Sequence, residues 1–324
     1  MTLQEQAWAV VLAAGDGTRL AALTTDERGH SVPKQFCSLQ GHGSLLEDAV
    51  RRAGRVTRRD RICVIVADHH RRYWQRALAG FPAENVFVQP RNRGTANGIL
   101  LSTLCVLARD PQARLIFLPA DHFVRDERSM SRSLRALAAL PRHHPAELLL
   151  LGIEPDQADP DLGYIVPGDC LAPGTHRVAR FAEKPPLDVA QALLMEGALW
   201  NSFIFAAHGR TMLELLRARL PACVEALSQV VAAPSCDTAP GRALRERYEH
   251  LPSADFSRSV IEGAENRLRV LKSPHCGWSD LGTPKRVAAT LRQPIPRQVH
   301  QRRPELFSAA FLNLSLQLAR WSAP

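Results

Sequence analysis

Short apolar runs alternate with longer stretches of helical spacing through the first half of this chain, and that alternation constrains the fold more than any other feature. The apolar runs lie at residues 8–14, 62–67, 86–89, 115–118 and 148–153. The stretches with helical spacing lie at residues 45–56, 71–79, 95–108 and 129–140. Because strands joined by helices run parallel in one sheet, the sequence predicts an α/β fold with a Rossmann-like doubly wound sheet.

The pattern changes after Pro155. Short strand-like runs and helical stretches then follow one another less regularly, and they lie at residues 163–166, 178–182, 187–195, 202–206 and 211–220. We therefore expect a mixed sheet with a second, ligand-binding lobe, all within one domain of residues 1–291.

Residues 292–324 carry a different pattern. The chain is rich in Pro, Arg and Gln as far as Pro304, and beyond it apolar residues recur at spacings of four and three. This predicts a linker followed by a C-terminal amphipathic helix. The apolar stripe fits a helix docked on its own domain, which we favour, or the seam of a homo-oligomer.

The composition, 45% hydrophobic and 23% charged, is close to that of soluble globular proteins. The apolar run at residues 7–14 is far shorter than the roughly 20 residues that span a bilayer. We expect a cytoplasmic protein without a membrane segment. The formal charge of +9 suits anionic ligands. The arginine-rich stretch at residues 51–61 has no interleaved aromatic residue for base stacking, so no nucleic-acid partner is expected.

The first predicted strand leads directly into Gly15-Asp16-Gly17-Thr18-Arg19-Leu20. Closely spaced glycines let backbone N–H groups approach phosphate oxygens. The lysine of a Walker A loop is missing, which excludes a P-loop NTPase. Arg19 and the later Lys34 place two cations beside the expected phosphate site.

Residues 12–20, together with Pro33-Lys34-Gln35-Phe36, resemble the N-terminal signature of the sugar-1-phosphate nucleotidylyltransferases. The resemblance extends from about residue 8 to residue 287, with the motifs in the family's order. It implies that Arg19 and Lys34 stabilise the triphosphate. The nucleotide-binding residues that it implies in this segment are Leu12, Ala13, Ala14, Gly15, Gly17, Thr18, Arg19 and Lys34.

A second loop, at residues 89–96, closes a strand and opens a helix. In the family this loop reads the base, which implies nucleotide contacts for Gln89, Gly94 and Thr95. Its N-R-G-T-A sequence is similar to that of the mannose-1-phosphate guanylyltransferase branch, although Asn97-Gly98 stands where Pro-Ala is common.

Asp121 follows an apolar strand, where open α/β sheets bind their ligands. Asp280 lies in a segment similar to the family's W-S-D-x-G motif. The resemblance implies that both aspartates bind Mg²⁺, which takes few protein carboxylates and leaves positions for phosphate oxygens. The neighbouring His122 is expected to be structural, because a sugar phosphate with a second pKa near ~6 needs no general base.

Three further segments resemble the family's acceptor-binding motifs, G-Y-I, F-x-E-K-P and W-N-S. They imply that the sugar phosphate is bound by Gly163, Glu183, Lys184 and Asn201. Lys184 would bind the attacking phosphate and so act in catalysis. Phe203 stands where the family often has glycine, and its ring either narrows the sugar pocket or faces the core.

The expected reaction joins GTP and mannose 1-phosphate to give GDP-mannose and pyrophosphate. Two alternatives remain open at this point: another pair, such as UTP or dTTP with glucose 1-phosphate, or a non-catalytic nucleotide-sugar sensor. Asp68-His69-His70 is similar to a metal phosphoesterase motif but is interpreted as a helix cap with exposed imidazoles. No long C-terminal extension follows the motifs, so a second catalytic activity is not expected.

Overall fold

The computed structural model describes residues 7–17, 20–25, 29, 31–39, 43–231 and 241–292. Eleven strands are found within these residues. Their bounds are β1 Ala7–Ala13, β2 Ile62–Ala67, β3 Val86–Gln89, β4 Arg114–Pro119, β5 Phe123–Val124, β6 Leu148–Ile153, β7 Gly163–Ala172, β8 Thr175–Glu183, β9 Leu199–His208, β10 Leu268–Lys272 and β11 Trp278–Ser279.

Nine of these strands form one mixed sheet in the order β3-β2-β1-β4-β9-β6-β10-β8-β7. The strands β3, β2, β1 and β4 are parallel to one another. Strand β9 runs antiparallel to its neighbours β4 and β6. The carboxyl ends of the four parallel strands therefore meet at one edge of the sheet. Strands β7 and β8 form a long antiparallel hairpin at the other end of the strand order.

Helices cover both faces of the sheet in the described part of the chain. Their bounds are α1 Ala21–Thr24, α2 Leu45–Ala53, α3 Arg71–Ala77, α4 Thr95–Arg109, α5 Glu127–Ala139, α6 Leu187–Met195, α7 Gly209–Arg219, α8 Pro221–Val231, α9 Arg242–His250 and α10 Pro284–Arg292. Side chains alternate between the two faces along each strand. In β1, Val11 packs into the core that includes residues of α2 and α5, and Val10 packs into the core that includes residues of α4 and α7. The doubly wound fold is confirmed.

Local signals explain where α2 and α5 begin. Ser44 and Glu47 form a reciprocal capping box at the start of α2. The Asp126 side chain accepts hydrogen bonds from the first turn of α5. Arg52 of α2, which is 3% exposed, contacts the carboxylate of Glu127 in α5 at 2.8 Å. This buried pair fixes the two helices against each other on one face of the sheet.

Several predicted elements match the structure at both ends, among them β2, β3, β6 and α6. The sequence did not predict that β9 lies between β4 and β6, far from its place in chain order. The predicted linker and C-terminal helix lie outside the described residues. No helix in the described ranges is long and apolar enough to cross a bilayer.

Gly94 permits the close approach between the start of α4 and the segment before residue 256. The N–H of Ala96 donates to the Ala254 carbonyl at 3.0 Å, and the N–H of Ala254 donates to the Arg93 carbonyl at 3.1 Å. Gly94 has φ +82°, and a Cβ there would lie 2.2 Å from the Ala254 oxygen. Any larger residue would have to displace this backbone.

Gly94→Ala should lower the free energy of unfolding by about 2–5 kcal/mol, because left-handed strain and a backbone clash add together. Gly80→Ala is the matched control. Gly80 also has positive φ, but nothing lies within 4 Å of a Cβ there, so it should cost only about 1–2 kcal/mol. Urea denaturation measures both, and equal costs would contradict the close approach.

Candidate active site

A cavity of about 470 Å³ opens at the carboxyl edge of the parallel strands. Most of the residues that the sequence assigned to the nucleotide, the sugar phosphate, the metal or catalysis line this cavity, which lies where open α/β sheets bind their ligands. These residues are Leu12, Ala13, Ala14, Gly15, Gly17, Lys34, Gln89, Gly94, Thr95, Asp121, Glu183 and Lys184. Gly163, Asn201 and Asp280 lie behind the lining, and Thr18 and Arg19 fall outside the described residues.

The glycine loop is held against the segment that follows it. Gly17 has φ +65°, and a Cβ there would lie 2.8 Å from the backbone N of Lys34. The side-chain amide of Gln35 donates to the carbonyls of Ala13 and Gly15 at 3.0 and 2.8 Å. Because these bonds hold carbonyl groups, the loop's N–H groups stay available for an anion.

Lys34 connects two distant parts of the chain. Its Nζ lies 2.7 Å from Oδ2 of Asp121 and donates to the Asp280 carbonyl at 2.6 Å. The pairing of β5 with β11 explains this meeting, since Asp121 precedes β5 and Asp280 follows β11 in an antiparallel pair. Burial alone would raise the pKa of Asp121, but the Lys34 charge and hydrogen bond, with His122, bring it below its usual value. The site therefore holds an ionised carboxylate beside a cation.

Asp280 is 7% exposed and is already paired. Its Oδ1 lies 3.1 Å from Nη1 of Arg286 and accepts from the N–H of Gly282 at 3.1 Å. Arg286 also contacts Asp159 at 3.0 Å. The predicted metal-binding carboxylate thus sits at the back of the cavity wall, with Arg286 neutralising its charge.

His122 is neutral in this site. The indole N–H of Trp278 points at its Nδ1 across 3.3 Å, and an indole can only donate, so Nδ1 must be the unprotonated nitrogen. Burial lowers the pKa of His122 to about 4, although the charge of Asp121 acts in the opposite direction. A neutral imidazole fits the structural role that was expected for His122.

The loop after β3 forms the next wall. Gln89 is buried and its amide donates to the Tyr248 hydroxyl at 3.3 Å. A Cβ on Gly98 would lie 3.1 Å from the Gln89 side-chain oxygen. Glycine at position 98, where the resemblance leads one to expect alanine, therefore leaves room around Gln89.

Glu183 and Lys184, at the end of β8, form a further part of the cavity lining. Glu183 lies 3.6 Å from the Lys184 ammonium. Burial raises the pKa of Glu183, and the Lys184 charge opposes this rise. Gly163 pairs with Glu183 across the hairpin, and a Cβ on Gly163 would lie 2.6 Å from the Glu183 carboxylate. The absence of a side chain at Gly163 thus leaves the space that the Glu183 carboxylate occupies.

Three non-glycine residues have positive φ in the described part of the chain: Lys184 at +50°, Phe203 at +55° and Leu281 at +50°. All three line the cavity. This conformation costs roughly 1–2 kcal/mol per residue, and such strain concentrates at functional sites. The positive φ of Phe203 explains why the family that the sequence resembles often has glycine at this position.

Sequence reasoning missed several lining residues, among them Gln35, Asn92 and Ser257. The segment Asp255-Phe256-Ser257-Arg258 contributes two of the lining residues. In the structure, Asp255 and Ser257 line the cavity at the start of a π-helical turn, Ser257–Ile261. Such turns occur often at functional sites, but no simple sequence pattern marks them.

With this geometry in place, comparison with known proteins identifies the family. A model of the family described as nucleotidyl transferase matches residues 8–292. The chain belongs to the nucleotidyl transferase family. This nucleotidyl transferase is 30% identical over 279 residues to a mannose-1-phosphate guanylyltransferase of Salmonella muenchen, a match that covers 85% of this chain and 57% of that protein.

Other relatives agree. A mannose-1-phosphate guanylyltransferase of Escherichia coli K12 is 29% identical over 289 residues, covering 86% of this chain and 59% of that protein. The xanthan biosynthesis protein XanB of Xanthomonas campestris pv. campestris is 30% identical over 278 residues, covering 85% and 57%. The nucleotidyl transferase described here thus spans a little over half the length of the curated relatives it matches.

Solved structures show the same fold. A Thermus thermophilus structure described as a mannose-1-phosphate geranyltransferase matches with a TM-score of 0.76 and 29% identity, covering 90% of this chain and 80% of that one. A Helicobacter pylori structure described as a mannose-6-phosphate isomerase matches with a TM-score of 0.66 at 20% identity, covering 85% and 99%. The second likeness concerns the fold alone.

The neutral state of His122 makes stability depend on pH. The pKa of His122 is about 4 in the folded protein, below the ordinary value of 6.5. The neutral imidazole therefore contributes fully to the free energy of unfolding above pH 6.5, and this contribution is lost as pH falls toward 4. Between pH 7 and pH 4, the free energy of unfolding of His122→Gln should therefore fall by up to about 3 kcal/mol less than that of the wild type. Urea denaturation between pH 4 and pH 7 measures it. His143→Asn, on an exposed residue, should keep the wild-type slope, and an unchanged slope in His122→Gln would contradict a neutral His122.

Proposed function

We propose that this chain transfers a guanylyl group from GTP to mannose 1-phosphate and forms GDP-mannose and pyrophosphate. One observation carries the proposal. Lys34, held between the carboxylate of Asp121 and the carbonyl of Asp280, lies at the glycine loop of a cavity that Glu183 and Lys184 also line. A phosphate-binding side and an acceptor-binding side therefore face one space.

The phosphate side suits a triphosphate. The backbone at Gly15 and Gly17 lines the cavity, and Lys34 supplies a fixed positive charge beside it. We infer that Arg19, the next cation along the loop, adds a second charge that neutralises the leaving pyrophosphate. Preorganised charges of this kind supply most of the catalysis in phosphoryl and nucleotidyl transfer.

The two aspartates are the candidate ligands for a divalent metal. Lys34 binds one oxygen of Asp121, and Arg286 binds Oδ1 of Asp280, so each carboxylate has a second oxygen to offer. Mg²⁺ accepts one or two carboxylates with phosphate oxygens and water. We propose that Asp121 and Asp280 hold Mg²⁺, which would neutralise charge on the phosphates of the bound nucleotide.

The acceptor side positions the nucleophile. Lys184 would bind the phosphate of mannose 1-phosphate, while Glu183 would accept hydrogen bonds from sugar hydroxyls. An oxygen of the sugar phosphate then attacks the α-phosphorus. The new P–O bond forms as the bond from the α-phosphorus to the bridging oxygen breaks, and the bond electrons leave with pyrophosphate. No proton has to be removed, because the sugar phosphate is largely dianionic near pH 7.

Other substrate pairs are the competing proposal. The mannose-1-phosphate guanylyltransferases among the relatives support the GTP and mannose pair. The open space beside Gln89 and the ring of Phe203 are the two places where another base or sugar could be selected. A non-catalytic sensor is disfavoured by the charged pair of Lys34 and Asp121, since a binder has no need to stabilise a leaving pyrophosphate.

A pyrophosphate-release assay tests the proposal. The purified chain is mixed with each of four nucleoside triphosphates and with mannose, glucose or galactose 1-phosphate, with and without Mg²⁺. Release only with GTP and mannose 1-phosphate in Mg²⁺ is expected. Release with a different pair would show that the proposed substrates are wrong. Release in none of the mixtures would favour a non-catalytic sensor.

Asp280→Asn should reduce turnover about 10²- to 10³-fold and keep the fold, because the amide oxygen can still accept from Gly282 and Arg286 retains Asp159. Pyrophosphate release and thermal melting measure the two effects. Asp161→Asn removes a half-exposed carboxylate 3.9 Å from Arg286 and serves as the control with nearly normal turnover. Unchanged release in Asp280→Asn would refute the metal assignment.

Phe203→Gly tests the sugar pocket. The substitution removes a ring whose centroid lies 5.7 Å from that of Phe205 and 6.3 Å from that of Phe256. It also relieves the strain of the positive φ. If the ring shapes the sugar pocket, KM for mannose 1-phosphate should rise by about tenfold, with KM for GTP unchanged. Steady-state kinetics separates the two values, and equal changes in both would show that Phe203 acts through the core.

A further inference from the structure

Asp16, His69 and His70 form a cluster at the edge of the cavity that the proposed reaction does not use. Asp16 belongs to the glycine loop and lines the cavity. His69 and His70 belong to the short turn Asp68–His70 that follows β2. One ligand atom from each residue lies within 4.8 Å of the others. We propose that Asp16, His69 and His70 bind one divalent transition-metal ion of the Zn²⁺ class.

Two of the donors already stand at the separation that one ion requires. Nε2 of His69 lies 3.1 Å from Oδ1 of Asp16. Tetrahedral Zn²⁺ holds nitrogen and oxygen donors at about 2.0–2.2 Å, which places neighbouring donors roughly 3.4 Å apart. Both side chains are nearly half exposed, so rotation about their side-chain torsions can bring their donors closer to that of His70, which lies within 4.8 Å.

His70 supplies a buried donor, so the expectation of two exposed imidazoles is wrong for His70 and correct for His69 alone. His70 is 6% exposed, and in the described part of the chain its Nδ1 has no hydrogen-bond partner. Its ring packs against Phe36 and lies with its centroid 4.0 Å from that of His69. Buried polar atoms almost always have a hydrogen-bond partner, so an unpartnered buried nitrogen needs an explanation, which a bound metal ion supplies.

The surroundings resemble those of metal-binding carboxylates. Asn92 donates to Oδ2 of Asp16 at 2.8 Å, which orients the carboxylate and directs Oδ1 to His69. Hydrogen bonds of this kind commonly hold the ligands of protein metal sites. The adjacent Asp68 is occupied by Arg71 and Arg245, at 2.7 and 3.0 Å, so it does not compete for His69 or His70.

The donor set determines the kind of ion. Two imidazoles and one carboxylate favour Zn²⁺, Co²⁺, Ni²⁺ or Cu²⁺, whereas Mg²⁺ prefers oxygen donors alone. The cluster is thus chemically distinct from the Mg²⁺ site proposed at Asp121. Three protein ligands leave a fourth position for water or another oxygen ligand. Since Asp16 lies between Gly15 and Gly17, a bound ion would tie the glycine loop to the end of β2.

Titration of the chelator-treated protein with Co²⁺ tests the site without substrate or turnover. Visible d–d absorption reports coordination, and charge-transfer bands distinguish cysteine thiolates from histidine ligands. The wild-type protein should bind one Co²⁺ through nitrogen and oxygen donors, and Zn²⁺ should displace it. His69→Asn should weaken binding more than 100-fold, and Asn92→Ala by about 10-fold.

His143→Asn, on an exposed histidine outside the cluster, is the matched control and should bind like the wild type. His69 is itself exposed, so its substitution should leave the circular dichroism spectrum and melting temperature unchanged. Absence of a histidine-type signal in the wild type, or equal binding in His69→Asn and the wild type, would overturn the proposal. Because no nucleotide is present, this result stands apart from the outcome of the transferase assay.

Discussion

The contact of Lys34 with Asp121 and with the Asp280 carbonyl is the interaction on which the rest of the site depends. Lys34 is 7% exposed, and a buried ammonium is stable only when it is paired and hydrogen-bonded. The two partners come from the end of β4 and from the segment after β11, and the short β5–β11 pairing brings those segments together. Removing either partner would leave a buried charge, which costs several kcal/mol.

The same segment positions the glycine loop. Gln35, next to Lys34, holds the carbonyls of Ala13 and Gly15, and Gly17 lets the backbone of Lys34 approach closely. One three-residue turn, Lys34–Phe36, thus fixes both the cation and the loop. The part of the cavity lined by Lys184 and Phe203 depends on backbone strain instead, since both residues have positive φ. This strained backbone lowers the stability of the fold, but it fixes the positions of the two side chains.

Much of the fold could be predicted from the sequence because each strand of its first half is a continuous apolar run between clear turns. The place of β9 in the sheet could not, because strand order depends on contacts between residues far apart in the chain. The same holds for the site. Gly15, Gly17 and Lys34 stand out in the sequence, whereas Gln35 and Ser257 acquire their positions only through folding. The pairing of Asp280 with Arg286 is likewise a tertiary contact that spacing does not reveal.

³¹P NMR of the reaction mixture tests whether this one cavity joins a nucleotide to a sugar phosphate. With GTP, mannose 1-phosphate and Mg²⁺, the signals of both substrates should decline together while those of a diphosphate-linked nucleotide sugar and of pyrophosphate rise in equal amounts. If GTP gave GDP and inorganic phosphate instead, or if mannose 1-phosphate remained unchanged as GTP was consumed, transfer of the nucleotide to the sugar phosphate would be ruled out.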